Sequence, residues 1–231
     1  MQNETPVNDP FLSIVSHDLK APVGLIITYS SMLRDSLNLS HDDHDILDEI
    51  LLAAHSLQIQ VNNLVNATKI NRGDLLYDMK TYHLRSLIDH VLEIIQPQCR
   101  TKGIEIKNFI DENLWIKGDF EKLQEVLMNL VKNAIQASPR KSTVTVAARK
   151  EGGNAVIEVQ DAGKGIEPSD LERVFLAGER GSDRKTGAGL GLYIARAIVR
   201  AHGSDINVVS EPGRGASFSF SLPLSDPEKE E

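Results

Sequence analysis

Two long amphipathic segments at the start of the chain constrain its fold most strongly. Residues 11–71 carry apolar side chains at near-heptad spacing, first over 12–33 and then over 46–68. Asn38-Leu39-Ser40 interrupts this pattern, so we predict two antiparallel helices joined by a short loop. A single hairpin with one apolar stripe on each helix has a poor core of its own. A second copy of the chain would cover both stripes, which predicts a dimeric four-helix bundle.

After residue 74 the pattern changes to one that is typical of an α/β domain. Helical spacing at about 84–101, 119–137 and 188–202 alternates with strand-like segments. The strand-like segments are β-branched or alternately apolar, and they lie at 104–106, 143–148, 155–160 and 216–222. The predicted fold is therefore a helical hairpin that forms the dimeric bundle, followed by an α/β sandwich. In that sandwich a mixed sheet carries its helices on one face.

The composition excludes some classes of function. The 231 residues have a net charge of −8, which argues against binding a nucleic-acid backbone, because that requires a basic surface. Cys99 is the single cysteine, which fits a reducing compartment. No apolar run approaches the roughly 20 residues that span a bilayer. We expect a cytoplasmic molecule with no membrane contact by this fragment, whether or not it belongs to a larger, membrane-anchored sensor.

His17 is a candidate nucleophile within the first predicted helix. It lies in the segment Ser16-His17-Asp18-Leu19-Lys20-Ala21-Pro22, and a proline inside a helix kinks the axis, which would help to turn the imidazole outward. A neutral imidazole is nucleophilic, and the carboxylate of Asp18 can orient its other ring nitrogen. Taken alone, a helical histidine is most often an ordinary surface or core residue. The catalytic interpretation therefore depends on a nucleotide site elsewhere in the chain.

Polar residues share one face of the predicted helix at 119–137. Glu125, Asn129 and Asn133 are four residues apart, and Lys132 lies beside them. Amide oxygens can complete the coordination of a Mg²⁺ ion held by phosphates and water, and Lys132 can meet a phosphate as a point charge. The simpler alternative is the wet side of an amphipathic helix.

A first glycine cluster, Asp161-Ala162-Gly163-Lys164-Gly165, directly follows a predicted strand. The carboxylate of Asp161 can accept a hydrogen bond from the exocyclic amine of adenine. Gly163 and Gly165 would let the backbone approach the base and turn away. On its own, such a cluster is a common turn signal.

A second glycine cluster, Gly187-Ala188-Gly189-Leu190-Gly191, opens a predicted helix. The free N–H groups of a helix start and its positive dipole end are suited to phosphates. The G-x-G-x-G spacing is not that of a dinucleotide site. The preceding charged stretch, with Arg180, Arg184, Lys185 and Thr186, predicts a mobile lid over a triphosphate.

Five segments, in this order, resemble the H, N, G1, F and G2 boxes of sensor histidine kinases. They are S-H-D-L-K-A-P at 16–22, N-L-V-K-N-A at 129–134, D-A-G-K-G at 161–165, Val174-Phe175, and G-A-G-L-G-L at 187–192. No single box is specific, but five in order at plausible spacing are. The likeness runs from about residue 13 to residue 224.

The resemblance implies a division of labour along the chain. Residues 1–74 would form the dimerisation and histidine phosphotransfer domain, residues 75–226 the catalytic ATP-binding domain of the Bergerat type, and residues 227–231 an acidic tail. The implied activity is ATP-dependent autophosphorylation of His17, assisted by Asp18, in a homodimer. The phosphoryl group would then pass to an aspartate of a response regulator receiver domain.

The resemblance also implies roles for single residues. Asn133 would be the Mg²⁺ ligand, Asp161 would read the adenine, and the turn at 189–191 would lie against the phosphates of ATP. Ser217 matches a Ser/Thr often found near the adenine. The nucleotide-binding residues predicted in this way are Asn129, Lys132, Asn133, Asp161, Gly163, Gly165, Arg180, Lys185, Thr186, Gly187, Gly189, Leu190, Gly191 and Ser217.

Two other functions compete with the kinase. In gyrase-type ATPases the position that matches Asn129 is a glutamate acting as general base on water, which an asparagine cannot do. This difference favours transfer to His17 over hydrolysis. A non-catalytic dimeric scaffold that only binds nucleotide is the second alternative, and the presence of His17 together with every nucleotide box in one chain counts against it.

Overall fold

The structure, a computed structural model, describes residues 10–35, 41–72, 75–177 and 190–226. The chain passes from a compact helical unit to a compact α/β unit between Leu75 and Leu76, and the residues from Gly191 onward belong to the α/β unit. The functional domain boundaries expected from the sequence stay a prediction.

The helical unit is a hairpin of α1 (Pro10–Arg34) and α2 (His41–Arg72), which pack against each other. Pro22 lies inside α1, and the helix continues past it to Arg34. Among its described residues, the hairpin buries mainly small or aliphatic side chains, together with two that carry a hydroxyl group. They are Val23, Ser30, Leu47, Leu51, Ala54, Val61, Ala67 and Thr68.

A second set of apolar residues on the hairpin stays exposed in the single chain. These side chains retain between 39% and 63% of their accessible surface, and they are Leu19, Leu25, Ile26, Tyr29, Met32, Leu33, Ile46, Ile50 and Leu57. Several of them belong to the heptad pattern that predicted the helices. One hairpin therefore leaves much of its heptad pattern uncovered, as the predicted four-helix bundle requires.

The α/β unit is built on a five-stranded mixed sheet in the order β2-β4-β5-β7-β6. β2 and β4 are parallel, and the other neighbours are antiparallel. A separate antiparallel pair joins β1 to β3. The elements are β1 (Met79–His83), α3 (Leu84–Lys102), β2 (Glu105–Ile110), β3 (Trp115–Asp119), α4 (Phe120–Ala137), β4 (Thr143–Glu151), β5 (Asn154–Gln160), α5 (Gly191–Ala201), β6 (Asn207–Ser210) and β7 (Ala216–Pro223).

Side-chain alternation places the core on one face of this sheet. Along β7, Ala216, Phe218, Phe220 and Leu222 are buried, and a half-buried serine lies between each pair. β4 and β5 alternate in the same way, and α3, α4 and α5 bury their apolar faces. The predicted fold class, a helical hairpin followed by a mixed sheet with helices on one face, is confirmed.

The element boundaries agree closely where the pattern was long. α3 and α4 begin and end within one residue of the predicted helices. The sequence analysis missed β1, β3 and β6, because each is only four or five residues long and lacks clean alternation. The last helix begins at Gly191, three residues later than predicted, because Leu190 is described and is not helical.

Candidate functional site

Helix α4 carries the polar face that the sequence singled out. Asp119 caps its N-terminus, where Oδ1 accepts a hydrogen bond from the backbone N of Lys122 at 3.0 Å. Leu123, Val126, Leu127, Leu130 and Val131 are buried on the opposite side, which leaves Asn129, Lys132 and Asn133 half-buried. The packing of α4 therefore directs the amide and ammonium groups away from the core.

The N-terminus of α5 approaches α4 at Asn129. A Cβ atom added at Gly191 would lie 3.1 Å from Oδ1 of Asn129, which is tighter than ordinary van der Waals contact. Gly191 is the first residue of α5. The structure thus brings together one asparagine of the N-box segment and the last glycine of the second glycine cluster, two features 62 residues apart in a chain of 231.

Lys132 carries an ammonium group that is partly removed from water. Partial burial lowers the pKa of Lys132, and among the described residues it forms no ion pair. A desolvated cation of this kind gains more from a bound anion than a fully hydrated one does. The position is suited to a phosphate oxygen.

Asp161 is buried and held in place by backbone donors. The side chain is 7% exposed, and its Oδ1 accepts hydrogen bonds from the backbone N of Gly163 at 2.8 Å and of Ala216 at 3.2 Å. The backbone N of Asp161 donates to the carbonyl O of Ala216 at 2.9 Å. The carboxylate is therefore oriented by β7 and by its own loop.

Close backbone contacts explain the glycines of this loop. A Cβ at Gly163 would lie 2.8 Å from the carbonyl O of Ala137. Gly165 has φ +74°, and a Cβ there would overlap the carbonyl of Glu211. Any larger residue at either position would push apart the segments that frame Asp161.

Gly215 belongs to this frame, and the sequence analysis did not identify it. It has φ +83°, and a Cβ would overlap the carbonyl of Asp161. The signal that would have found it is Pro212-Gly213-Arg214-Gly215, a turn immediately before a strand. Ser210 links the two loops, because its Oγ accepts from the backbone N of Ile166 at 2.9 Å and donates to the carbonyl O of Gly215 at 2.7 Å.

Ser217 was predicted to lie near the base, and in the structure its hydroxyl is directed toward Glu158 and not toward Asp161. Its Oγ donates to the carboxylate of Glu158, and this bond lowers the pKa of Glu158, with a further contribution from Arg149. Glu158 and Ser217 lie on the face of the sheet opposite to the buried residues Val159 and Phe218. Side chains alternate along a strand, so Ala216 lies on the buried face of β7, beside Asp161.

Phe175, from the predicted F box, is 6% exposed and packs edge-on against Phe218. The centroids of the two rings are 6.3 Å apart at an interplanar angle of 81°. Phe218 follows Ala216 by two residues on the same strand face, so the F-box ring braces the strand that orients Asp161.

Several of the predicted site residues lie outside the described part of the structure. Arg180, Lys185, Thr186, Gly187 and Gly189 lie outside the described residues. Leu190 is half-buried and directly precedes Gly191. His17 and Asp18 lie within α1, and the described geometry does not extend to their side chains.

Two family models match the chain. Residues 8–73 match the His Kinase A (phospho-acceptor) domain, and residues 118–226 match the histidine kinase-, DNA gyrase B- and HSP90-like ATPase. The chain belongs to the sensor histidine kinases. The two matched segments follow one another along the chain, and the second one supports the use of ATP.

Curated relatives and a solved structure agree with the assignment. The sensor-like histidine kinase SenX3 of Mycobacterium bovis is 34% identical over 92% of this chain and 53% of its own length. The sensor protein GacS of Pseudomonas syringae pv. syringae is 31% identical over 97% of this chain and 26% of its own length. The kinase therefore spans about half the length of SenX3 and a quarter of that of GacS.

The crystal structure of full-length ShkA in complex with AMPPNP has a TM-score of 0.79 and 25% identity to this kinase. It matches 96% of this chain and 47% of ShkA. Within the described residues, no helix is both long and apolar enough to cross a bilayer.

Proposed function

We propose that this kinase uses ATP to phosphorylate its own His17 and then passes the phosphoryl group to an aspartate of a response regulator receiver domain. The observation that carries the proposal is that the α/β unit contains an oriented buried carboxylate, Asp161, together with the close contact of Asn129 with Gly191 and the partly buried ammonium of Lys132. These are the groups that a purine base and a triphosphate require.

Each group has a role in binding ATP. Asp161 accepts a hydrogen bond from the exocyclic amine of adenine, which a guanine cannot offer at that position. Lys132 neutralises charge on a phosphate, and the helix start at Gly191 directs N–H groups and a positive dipole end toward phosphate oxygens. We assign Arg180, Lys185, Thr186, Gly187, Gly189 and Leu190 to the same triphosphate from their place in the sequence.

Magnesium fits the donors that this site presents. The side-chain oxygen of Asn133 is a hard amide ligand, and Mg²⁺ prefers octahedral oxygen coordination shared with phosphates and water. Bound there, the ion would neutralise charge on the triphosphate. Asn129 supplies an amide where a hydrolytic enzyme would need a carboxylate base.

Phosphoryl transfer forms one bond and breaks one bond. A ring nitrogen of neutral His17 attacks the γ-phosphorus, and the bond to the bridging oxygen of ADP breaks as ADP leaves. The other ring nitrogen gives up its proton, and Asp18 orients the imidazole and accepts that proton. Positioning and charge neutralisation supply most of the rate. The helical surface around His17 then presents the phosphoryl group to a receiver aspartate.

Incubation with γ-labelled ATP tests the proposal. We expect acid-labile, base-stable label on the protein, and no label on His17→Ala, although that variant binds ATP with unchanged affinity. The matched control is His44→Ala, a substitution of another histidine of the hairpin, which should label normally. Label on His17→Ala contradicts the acceptor assignment. Free phosphate without labelled protein would indicate an ATPase, and ATP binding with neither product would indicate a scaffold.

A further inference from the structure

A guanidinium group covers one face of the F-box ring. The Cζ atom of Arg196 lies 4.6 Å from the centroid of Phe175, within the range of a cation–π contact. Arg196 is held there by Asp205, since its Nε and Nη2 donate to the two carboxylate oxygens at 2.7 and 2.9 Å. This bidentate pair fixes the plane of the guanidinium, which a lysine ammonium could not reproduce.

Two contacts connect the ring of Phe175 to Asp161. Phe175 packs edge-on against Phe218, and two residues earlier on β7 the backbone N of Ala216 donates to Oδ1 of Asp161. Phe175 and Phe218 are each 6% exposed. A ring that is free to shift would therefore move within a close-packed region and disturb the strand that orients the carboxylate.

Helix α5 also connects the two sides of the site. It begins at Gly191, against Asn129, and Arg196 lies five residues further along the same helix, about 7.5 Å along its axis. Helix α5 therefore carries both Gly191, which lies on the proposed phosphate side of the site, and Arg196, which restrains Phe175 on the side of Asp161.

We propose that Arg196 is a positioning residue for nucleotide binding, which acts by clamping Phe175 against Phe218 and so keeps Asp161 oriented toward the base. This role rests on the proposed function. It predicts an effect on the affinity for ATP and a smaller one on the rate of transfer once ATP is bound, because Arg196 lies next to the base side of the site.

Arg200 provides a matched control on the same helix. It donates to Oδ2 of the same Asp205 at 3.1 and 3.3 Å, and its side chain is 58% exposed. The cation–π contact described for α5 is made by Arg196 and not by Arg200. The two arginines therefore share the ion pair and differ in the contact with Phe175.

The test measures ATP affinity and steady-state autophosphorylation for Arg196→Ala, Arg196→Lys and Arg200→Ala. We expect Arg196→Ala to weaken ATP binding about 3- to 10-fold, the range that the loss of one cation–π contact corresponds to. The change should fall on KM for ATP, with kcat at saturating ATP within about 2-fold of wild type. Arg196→Lys should recover part of the affinity, and Arg200→Ala should bind ATP as the wild type does.

A double-mutant cycle separates positioning from general stability. In a Phe175→Leu background the ring is absent, so adding Arg196→Ala should change ATP affinity by less than about 2-fold. Thermal unfolding of each variant shows whether it is folded at the assay temperature. Equal effects of Arg196→Ala and Arg200→Ala, or additive effects of Arg196→Ala and Phe175→Leu, overturn the proposal. Failure of the wild-type protein to bind ATP would instead refute the proposed function, and the clamp with it.

Discussion

At the scale of single residues, Asp161 is oriented before any nucleotide binds. Two backbone N–H groups, of Gly163 and Ala216, donate to its Oδ1, and the glycines around it leave no room for larger side chains. Because the carboxylate is already ordered in the free protein, binding of the base loses little conformational entropy at Asp161. The hydrogen bond to the base therefore contributes more fully to the affinity.

We expect Asp161→Asn to weaken ATP binding by roughly 10- to 100-fold, since losing a hydrogen bond to a charged acceptor costs about 1.5–3 kcal/mol. The amide oxygen can still accept from Gly163 and Ala216, so the loop should stay folded. Titration of wild type and variant with ATP and GTP measures the selectivity, which should fall. Asp89→Asn, on the exposed side of α3, is the control, and an unchanged ATP-to-GTP ratio in Asp161→Asn would remove the residue from base recognition.

The substitution Lys132→Met should weaken the binding of ATP without lowering the thermal stability of the protein. Burial lowers the pKa of Lys132, so folding disfavours the charged form, and this cost is present at every pH below the unfolded value near 10.5. At neutral pH we expect the melting temperature of the nucleotide-free variant to equal or exceed that of wild type by up to about 3 °C. Any gain should vanish as the pH rises through 10.5, where the unfolded-state lysine loses its proton.

The same variant should bind ATP at least several-fold more weakly, because the phosphate loses its point charge. Calorimetry of unfolding and of ATP binding gives the two quantities. Lys150→Met, at an exposed lysine of β4, should change neither of them appreciably. A variant that is destabilised and still binds ATP normally would show that Lys132 has a structural role instead.

At the scale of elements, His202 fastens α5 to the corner between β3 and α4. Its Nδ1 lies 2.8 Å from the carbonyl O of Ile198, and its Nε2 accepts from the backbone N of Asp119 at 3.0 Å. A carbonyl can only accept and an N–H can only donate, so these two contacts fit the tautomer that carries its proton on Nδ1. The side chain is 7% exposed. The two helices that carry the nucleotide residues are thus linked at the end remote from Gly191.

We expect His202→Ala to lower the free energy of unfolding of the α/β unit by roughly 2–4 kcal/mol. The substitution leaves the buried N–H of Asp119 without an acceptor and opens a cavity beside Tyr77, whose ring packs edge-on against the imidazole. Chemical denaturation followed by fluorescence measures the change. His90→Ala, at an exposed position of α3, should cost far less, and equal losses would show that the buried hydrogen bonds of His202 contribute little.

At the scale of the whole molecule, the hairpin leaves an apolar surface uncovered, and the phospho-acceptor family to which it belongs implies dimerisation. We propose that a second copy of the chain covers this surface. Ile26 is 45% exposed and Ile50 is 40% exposed, so burial of the remaining surface contributes about 1 kcal/mol for each side chain.

Ile26→Glu should therefore shift the protein from dimer to monomer, because a carboxylate would be buried without a partner in both copies. Light scattering coupled to size-exclusion chromatography measures the mass. Glu49→Ala, an exposed polar position of α2, should stay dimeric. ATP binding to Ile26→Glu should be unchanged, since Asn129, Lys132 and Asp161 lie in the α/β unit. A wild-type protein that is monomeric at micromolar concentration would contradict the proposed assembly.

The sequence by itself determined the long helices and the residue types of the candidate site. Long periodic segments specify helices whatever they pack against, which is why α3 and α4 were predicted nearly to the residue. The N-box, G1 and G2 segments specify residue types that suit a nucleotide. Gly165 was predicted from the need for a sharp turn and has φ +74°.

Only the tertiary structure decided which of these groups meet. β1, β3 and β6 depend on partners distant in the chain and carry little local signal of their own. Ser217 and Ala216 are neighbours in sequence, and alternation along β7 places Ala216 on the buried face, where its backbone N donates to Asp161, and the Ser217 hydroxyl on the other face, where it donates to Glu158. The contacts of Arg196 with Phe175 and of His202 with Asp119 join residues 21 and 83 positions apart. Such contacts arise from the packing of whole helices and strands, and the pattern of residues along the sequence does not predict them.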